Sequence, residues 1–170
     1  MPDMPNLVLT GFMGTGKTAV GRALAAALDA EFVDTDEVIE QRHGPIPRIF
    51  VDQGEAAFRA LEAALAEELA AGSGRVISTG GGMLLADSVA QRLGSTGRIF
   101  CLVASPETIL ARVQADRLGE RPLLDVDDPA RRIAQLLGER ATRYGAFEQI
   151  DTEGRAVPEI VADVLGRFIG

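Results

Sequence analysis

Gly11-Phe12-Met13-Gly14-Thr15-Gly16-Lys17-Thr18 is the stretch that decides how this chain folds. A turn with glycines at this spacing points its backbone N–H groups inward, around phosphate oxygens. The lysine and hydroxyl that follow it meet the outer phosphates and a hard cation. Such a turn needs a strand before it and a helix after it. Leu7-Val8-Leu9 supplies a short apolar run of strand character, and Ala19–Leu28 supplies a helical pattern. A glycine-rich turn with a stray lysine is the bland alternative, and the flanking pattern speaks against it.

Lys17 is the only lysine among 17 basic residues; every other one is an arginine. At this position a compact ammonium must fit beneath the β- and γ-phosphates, where a planar guanidinium is too large and wrongly shaped. The count also excludes a class. A guanine-reading Asn-Lys-x-Asp cannot exist without a second lysine, so the expected nucleotide is ATP.

With 170 residues, 46% of them hydrophobic, the chain is expected to form a single domain, 1–170, with a substantial core. A net charge of −8 argues against nucleic-acid binding, which needs a positive surface to displace counterions. The single cysteine, Cys101, lies inside Ile99-Phe100-Cys101-Leu102-Val103 and reads as a small buried hydrophobe. The sequence shows no signal peptide and no apolar run of membrane-spanning length. A soluble, cytoplasmic monomer acting on small molecules is expected, with no nucleic-acid or membrane partner.

Short apolar runs alternate with helical patterns, the mark of a parallel sheet flanked by helices. Strands are expected at 6–10, 31–34, 75–79, 98–103 and 148–151. Their Val, Ile and Phe content suits strands buried on both faces. Helices are expected near 17–28, 35–42, 54–71, 85–93, 106–116, 129–143 and 156–168. Ser105-Pro106 and Asp128-Pro129 each set a capping residue before a proline in a first turn. Phe58, Leu61, Leu65 and Leu69 form the core stripe of the long helix. Residues 113–125 are polar and charged, end in Glu120-Arg121-Pro122-Leu123-Leu124, and read as a mobile flap.

A phosphate-binding turn needs a carboxylate for Mg²⁺. Neither the 75–79 strand nor the 98–103 strand ends in an acid, which leaves Asp34 and Asp36. In extended chain, residues two apart point the same way, so Asp34-Thr35-Asp36 would aim two carboxylates at one spot. Such a pair repels unless a cation or donors lie between its members. The alternative is a solvated turn with a helix cap at Asp36. Gly80-Gly81-Gly82 follows the third strand, where missing Cβ atoms let backbone amides approach a small ligand. Taken alone it is a bare turn, but ligands bind at this edge of open α/β sheets. Arg59 has Glu55 four residues before it and Glu62 three after it, all on one helix face. Either these form a surface ion-pair ladder, or Glu62 locks the guanidinium to meet an anion. Spacing does not decide between the two.

Taken together, these stretches resemble the shikimate kinase family across nearly the whole chain. The resemblance is carried by the phosphate-binding turn, Phe32-Val33-Asp34-Thr35-Asp36, Gly54-Glu55-x-x-Phe58-Arg59-x-x-Glu62, Thr79-Gly80-Gly81-Gly82, Arg121-Pro122-Leu123-Leu124 and Arg140-x-x-x-Tyr144. The turn alone is shared by many proteins; the ordered set is highly specific. It implies a P-loop NTPase fold of the nucleoside-monophosphate-kinase type: a five-stranded parallel sheet flanked by helices, with a mobile lid. It also implies transfer of the ATP γ-phosphate to the 3-hydroxyl of shikimate, with Mg²⁺ as cofactor.

By this resemblance Gly14, Thr15, Gly16, Lys17, Thr18 and Ala19 would hold the nucleotide. Thr18 and Asp34 would serve the metal. Asp36 would hold the shikimate hydroxyls and accept the proton. Arg59 and Arg140 would clamp the substrate carboxylate, with Gly81 and Gly82 lining that pocket. Arg121 would swing in toward the γ-phosphate on a lid at about 112–125, and the shikimate-binding region would span about 34–62. Lys17, Asp36 and Arg121 would be the catalytic set. Gln114–Glu120 is longer than the family pattern, so the adenine-stacking arginine is assigned to Arg112, with Arg117 as the alternative. Pro45-Ile46-Pro47 adds a stiff stretch between the substrate-side helices. A gluconate or nucleoside-monophosphate kinase is the nearest rival. A regulator that has lost catalysis is a rival of another class, and it would be expected to lack Lys17, Asp36 or Arg121.

Overall fold

In a computed structural model, residues 4–116, 124 and 126–170 are described. Five parallel strands form the sheet: β1 (Asn6–Gly11), β2 (Glu31–Asp34), β3 (Arg75–Ser78), β4 (Gly97–Val103) and β5 (Glu148–Asp151). Their order is β2-β3-β1-β4-β5, with β1 at the centre and Leu9 level with both Ser78 and Phe100. All six residues of β1 are buried. The chain leaves β1 for one side of the sheet and later returns to its other side, so a crevice opens at the carboxyl ends of the strands.

The helices are α1 (Lys17–Leu28), α2 (Thr35–His43), α3 (Ile46–Gln53), α4 (Glu55–Ala70), α5 (Asp87–Gly94), α6 (Pro106–Ala115), α7 (Pro129–Gly145) and α8 (Val157–Ile169). A 3₁₀ turn at Met83–Leu85 precedes α5. Alternation along the strands divides the core. Val8 and Ile77 pack with residues of α2 to α5, while Leu7, Leu9, Val76 and Phe100 pack under α1 and α8. A third cluster joins Phe12, Cys101, Ile109, Leu124, Ile133 and Tyr144 beneath α6 and α7. Ser105 and Asp128 accept from the Thr108 and Arg131 amides and cap α6 and α7 as expected.

Helix α3 is not among the expected elements; the sequence marked only a stiff stretch at Pro45-Ile46-Pro47. Pro47 sits in the first turn, where the missing N–H has no intrahelical partner to lose. Gly44 and Gly54, both with positive φ, separate α3 from its neighbours. The expected flap at 113–125 is helical at its start, since α6 runs to Ala115. Arg117 and Arg121 lie outside the described residues, as does the rest of 117–123.

Candidate active site

The phosphate-binding turn joins β1 to α1. Thr15 is buried and its hydroxyl donates to the Phe12 carbonyl at 2.7 Å, which closes the turn. Gly16 adopts φ 95°, a left-handed conformation that side chains disfavour, and so directs the chain into α1. No side chain caps α1. The amides of its first turn, including those of Thr18 and Ala19, therefore form an anion-binding helix terminus. Lys17 Nζ donates to the carbonyls of Gly11 and Phe12 at 2.8 and 3.0 Å, holding the ammonium across the same turn. Arg112 reaches over from α6 and donates to the Gly14 carbonyl at 3.3 Å. It also donates to the Thr152 hydroxyl at 3.0 Å and the Thr152 carbonyl at 2.9 Å. This places its guanidinium between the turn and the loop after β5.

Asp34 and Asp36 lie close enough for the Asp34 charge to act on Asp36, but not by the geometry expected. Asp34 ends β2, and α2 already begins at Thr35, so the two carboxylates do not share one extended segment. The helix cap is Asp34, not Asp36. Its Oδ1 accepts from the Asp36 and Glu37 amides at 3.0 and 3.2 Å. Its other oxygen, Oδ2, accepts from the Thr18 hydroxyl at 3.3 Å. Asp36 projects from the first helical turn, and its pKa is raised to about 6. Burial is the main cause and the Asp34 charge the second; Lys17 and Arg59 oppose them.

The three glycines after β3 act as a floor on which side chains rest. A Cβ on Gly80 would lie 2.7 Å from Asp36 Oδ1, and one on Gly82 would lie 2.6 Å from Arg59 Nη2. At Gly81 the nearest side chain is Arg140, its Nη1 3.6 Å from a would-be Cβ. Three successive residues thus touch three separate candidate side chains, delivered by α2, α4 and α7. The fully buried Thr35 fixes this floor by accepting from the Gly80 amide at 3.0 Å. Sequence reading assigned no role to Thr35, and to Gly80 none beyond its place in the glycine run. Thr35 lay inside a quoted motif, but nothing in its spacing marked it as a contact to the glycines.

Glu62 decides between the two readings of the Arg59 face. It is only 2% exposed, and its Oε2 accepts from Arg59 Nη1 at 2.6 Å. Glu55 adds a longer bond to Nη2 at 3.4 Å. A carboxylate held that deeply is not part of a solvated ladder. Burial pushes the Glu62 pKa up to about 7, against the pull of Arg59. Arg140 is held otherwise. Its guanidinium lies 5.3 Å from the Phe12 ring centroid, and Nη1 donates to the Tyr144 hydroxyl at 3.3 Å. Cys101 is fully buried, and burial pushes its thiol up to about 12, which leaves an inert packing residue.

The shikimate kinase family model matches residues 13–168. A shikimate kinase of Thermodesulfovibrio yellowstonii is 42% identical over 97% of this chain and 95% of its own length. One of Thermus thermophilus is 44% identical over 95% of this chain and 89% of its own. Among solved structures, the shikimate kinase of Acinetobacter baumannii in complex with shikimate superposes with a TM-score of 0.90 at 34% identity. That match covers 99% of this chain and 94% of the other. A gluconokinase of Sinorhizobium meliloti, 19% identical over 99% of this chain and 94% of its own, reaches 0.67 and shares the fold.

Proposed function

This chain belongs to the shikimate kinase family, and we propose that it transfers the γ-phosphate of ATP to the 3-hydroxyl of shikimate, giving 3-phosphoshikimate and ADP. The observation that carries this reading is the glycine floor. Asp36, Arg59 and Arg140 meet on Gly80-Gly81-Gly82, across the sheet edge from the turn that holds Lys17. Gluconate is also an anionic polyol, so the clamp alone does not separate the two; the 34–42% identity to shikimate kinases against 19% to a gluconokinase favours shikimate.

Each side chain then has a task its setting favours. The amides of Gly14 to Ala19 and the Lys17 ammonium hold the phosphate tail. Arg59 and Arg140 grip the shikimate carboxylate from two helices, so that the ring can present only one hydroxyl to the phosphate. Gly81 and Gly82 line that pocket. Asp36 orients the hydroxyl and takes its proton; a pKa of about 6 keeps it ionised at neutral pH yet close to the working range of a general base. Arg121, by the family resemblance, would neutralise charge on the moving phosphoryl group. The transition state is loose, so positioning and charge neutralisation outweigh base strength. Arg112 would flank the adenine.

Mg²⁺ fits the donors present. Asp34 Oδ2, the oxygen not used in the helix cap, converges with the Thr18 hydroxyl. Among the described residues no cluster of three acidic, His or Cys side chains could hold a metal alone. That suits an ion held largely by substrate phosphates with one or two protein oxygens. When bound, it would neutralise charge on the β- and γ-phosphates. A monomer is the proposed active unit. Among the described residues no helix is long and apolar enough to cross a membrane; a cytoplasmic place of action goes with the use of ATP.

ADP release, measured with ATP and Mg²⁺ in the presence and absence of shikimate, tests the reading. Turnover that depends on shikimate and does not respond to gluconate supports it. Turnover indifferent to shikimate, or none, overturns it.

A further inference from the structure

We propose that Tyr144 is a positioning residue: its hydroxyl keeps Arg140 turned onto the glycine floor and so sets the affinity for the acceptor's carboxylate. The inference rests on the reading of Arg140 given above and adds a residue to which that reading gives no task.

The hydrogen-bond directions are fixed by chemistry. A guanidinium can only donate and a carbonyl can only accept. The Tyr144 hydroxyl therefore accepts from Arg140 Nη1 at 3.3 Å and spends its own proton on the Gly81 carbonyl at 2.8 Å. One oxygen ties α7 to the residue against which Nη1 already lies. Tyr144 is 5% exposed, so little water competes for either bond. Burial raises its pKa, opposed by Arg140, so the phenol stays neutral and does not cancel the arginine's charge.

Arg140 has somewhere else to go. It also borders a cavity of about 550 Å³ lined by Leu85, Leu136, Glu139 and Arg143. On the glycine floor its guanidinium is held by a ring face and one hydroxyl, and among the described residues no carboxylate pairs with it. Removing the hydroxyl frees the guanidinium to leave Gly81 for that cavity.

Tyr144→Phe keeps the ring and removes only the oxygen. Titrated calorimetrically, the variant is expected to bind shikimate on the order of five-fold more weakly, with ADP affinity unchanged. In an Arg140→Ala background the same substitution is expected to add nothing, because its effect passes through Arg140. Equal weakening of ADP, or additive losses in the double variant, overturns the proposal. A crystal structure of Tyr144→Phe without ligand gives a readout independent of the substrate assignment. A guanidinium moved off Gly81 into the neighbouring cavity supports the latch, and one still lying on Gly81 overturns it, whatever the enzyme phosphorylates.

Discussion

Two helices each bring an arginine to the same glycine turn, and they hold it by opposite chemistry. On the α4 side a buried carboxylate grips Arg59 at 2.6 Å. On the α7 side Arg140 rests on an aromatic face and a neutral phenol, and among the described residues no carboxylate pairs with it. The ionic grip fixes geometry firmly but offsets part of the charge that an incoming anion should feel, and it titrates. The neutral grip is softer, leaves the charge whole and does not change near neutral pH. The clamp therefore combines one arginine specialised for position with one specialised for attraction. Asp36 stands at the Gly80 end of the same turn, raised in pKa by its burial and by Asp34.

The largest effect is expected at Asp36, which belongs to neither grip. Asp36→Asn should lower turnover by about 10²–10⁴-fold, the usual contribution of a positioned acid–base group. Shikimate affinity should stay within a few-fold. If steady-state assays instead show near-normal turnover, the catalytic role is lost. If calorimetry shows that affinity collapses, Asp36 is a third member of the clamp and the two-sided comparison breaks.

Next in size are the arginines themselves. Truncating either to alanine should weaken shikimate binding by about 2–5 kcal/mol, with ATP affinity little changed. Arg140→Ala should cost more than Arg59→Ala. In the latter, Glu62 loses its cation and takes up a proton, so no buried anion is left to repel the substrate. The reverse ranking in binding titrations would mean that the Glu62 grip adds to attraction rather than subtracting from it.

How much of this could be read from residues alone differs between the two sides. The phosphate turn, the sheet and the caps at Ser105 and Asp128 are set by local rules of spacing and capping, and the structure follows them. Glu62 posed a fair question, because helix spacing places it beside Arg59 but says nothing of depth. Only the packing of α4 against the sheet decides that. The alternation rule was carried past the end of β2 when it paired Asp34 with Asp36, and the alternative reading set the helix cap at Asp36 where Asp34 holds it. Gly80 and Thr35 owe their roles to contacts across |i−j| = 45, beyond the reach of any local pattern. Helix α3 was hidden because the prolines at 45 and 47 signal stiffness, which does not by itself say that Pro47 occupies a first helical turn.

A smaller effect lies in stability, where the site opposes the fold. Asp36 and Glu62 bind protons more tightly folded than unfolded, since their values rise from 3.8 to about 6 and from 4.5 to about 7. Their contribution is fully present below about pH 4 and is lost as pH rises through those raised values. Asp36→Asn should therefore stabilise the protein by about 1–3 kcal/mol at pH 7.5, with the gain shrinking toward zero near pH 4. Urea denaturation at the two pH values checks this. A gain of equal size at both would assign the effect to packing rather than to charge.

The smallest effect separates the two grips most directly. An anion arriving at Arg59 shares that arginine with Glu62, so binding should favour the protonated form of Glu62 and draw in a fraction of a proton. Shikimate affinity should then rise on the order of twofold from pH 8 to pH 6.5, as a half-unit further rise in the Glu62 pKa would give. Glu62→Gln, neutral at every pH, should flatten that slope. Tyr144→Phe should lower affinity at each pH and leave the slope intact, because a buried phenol holds its proton throughout this range. Calorimetry in buffers of differing ionisation enthalpy counts the protons directly. A slope that survives Glu62→Gln would move the titrating group to Asp36, and the distinction between an ionic and a neutral grip would then rest on geometry alone.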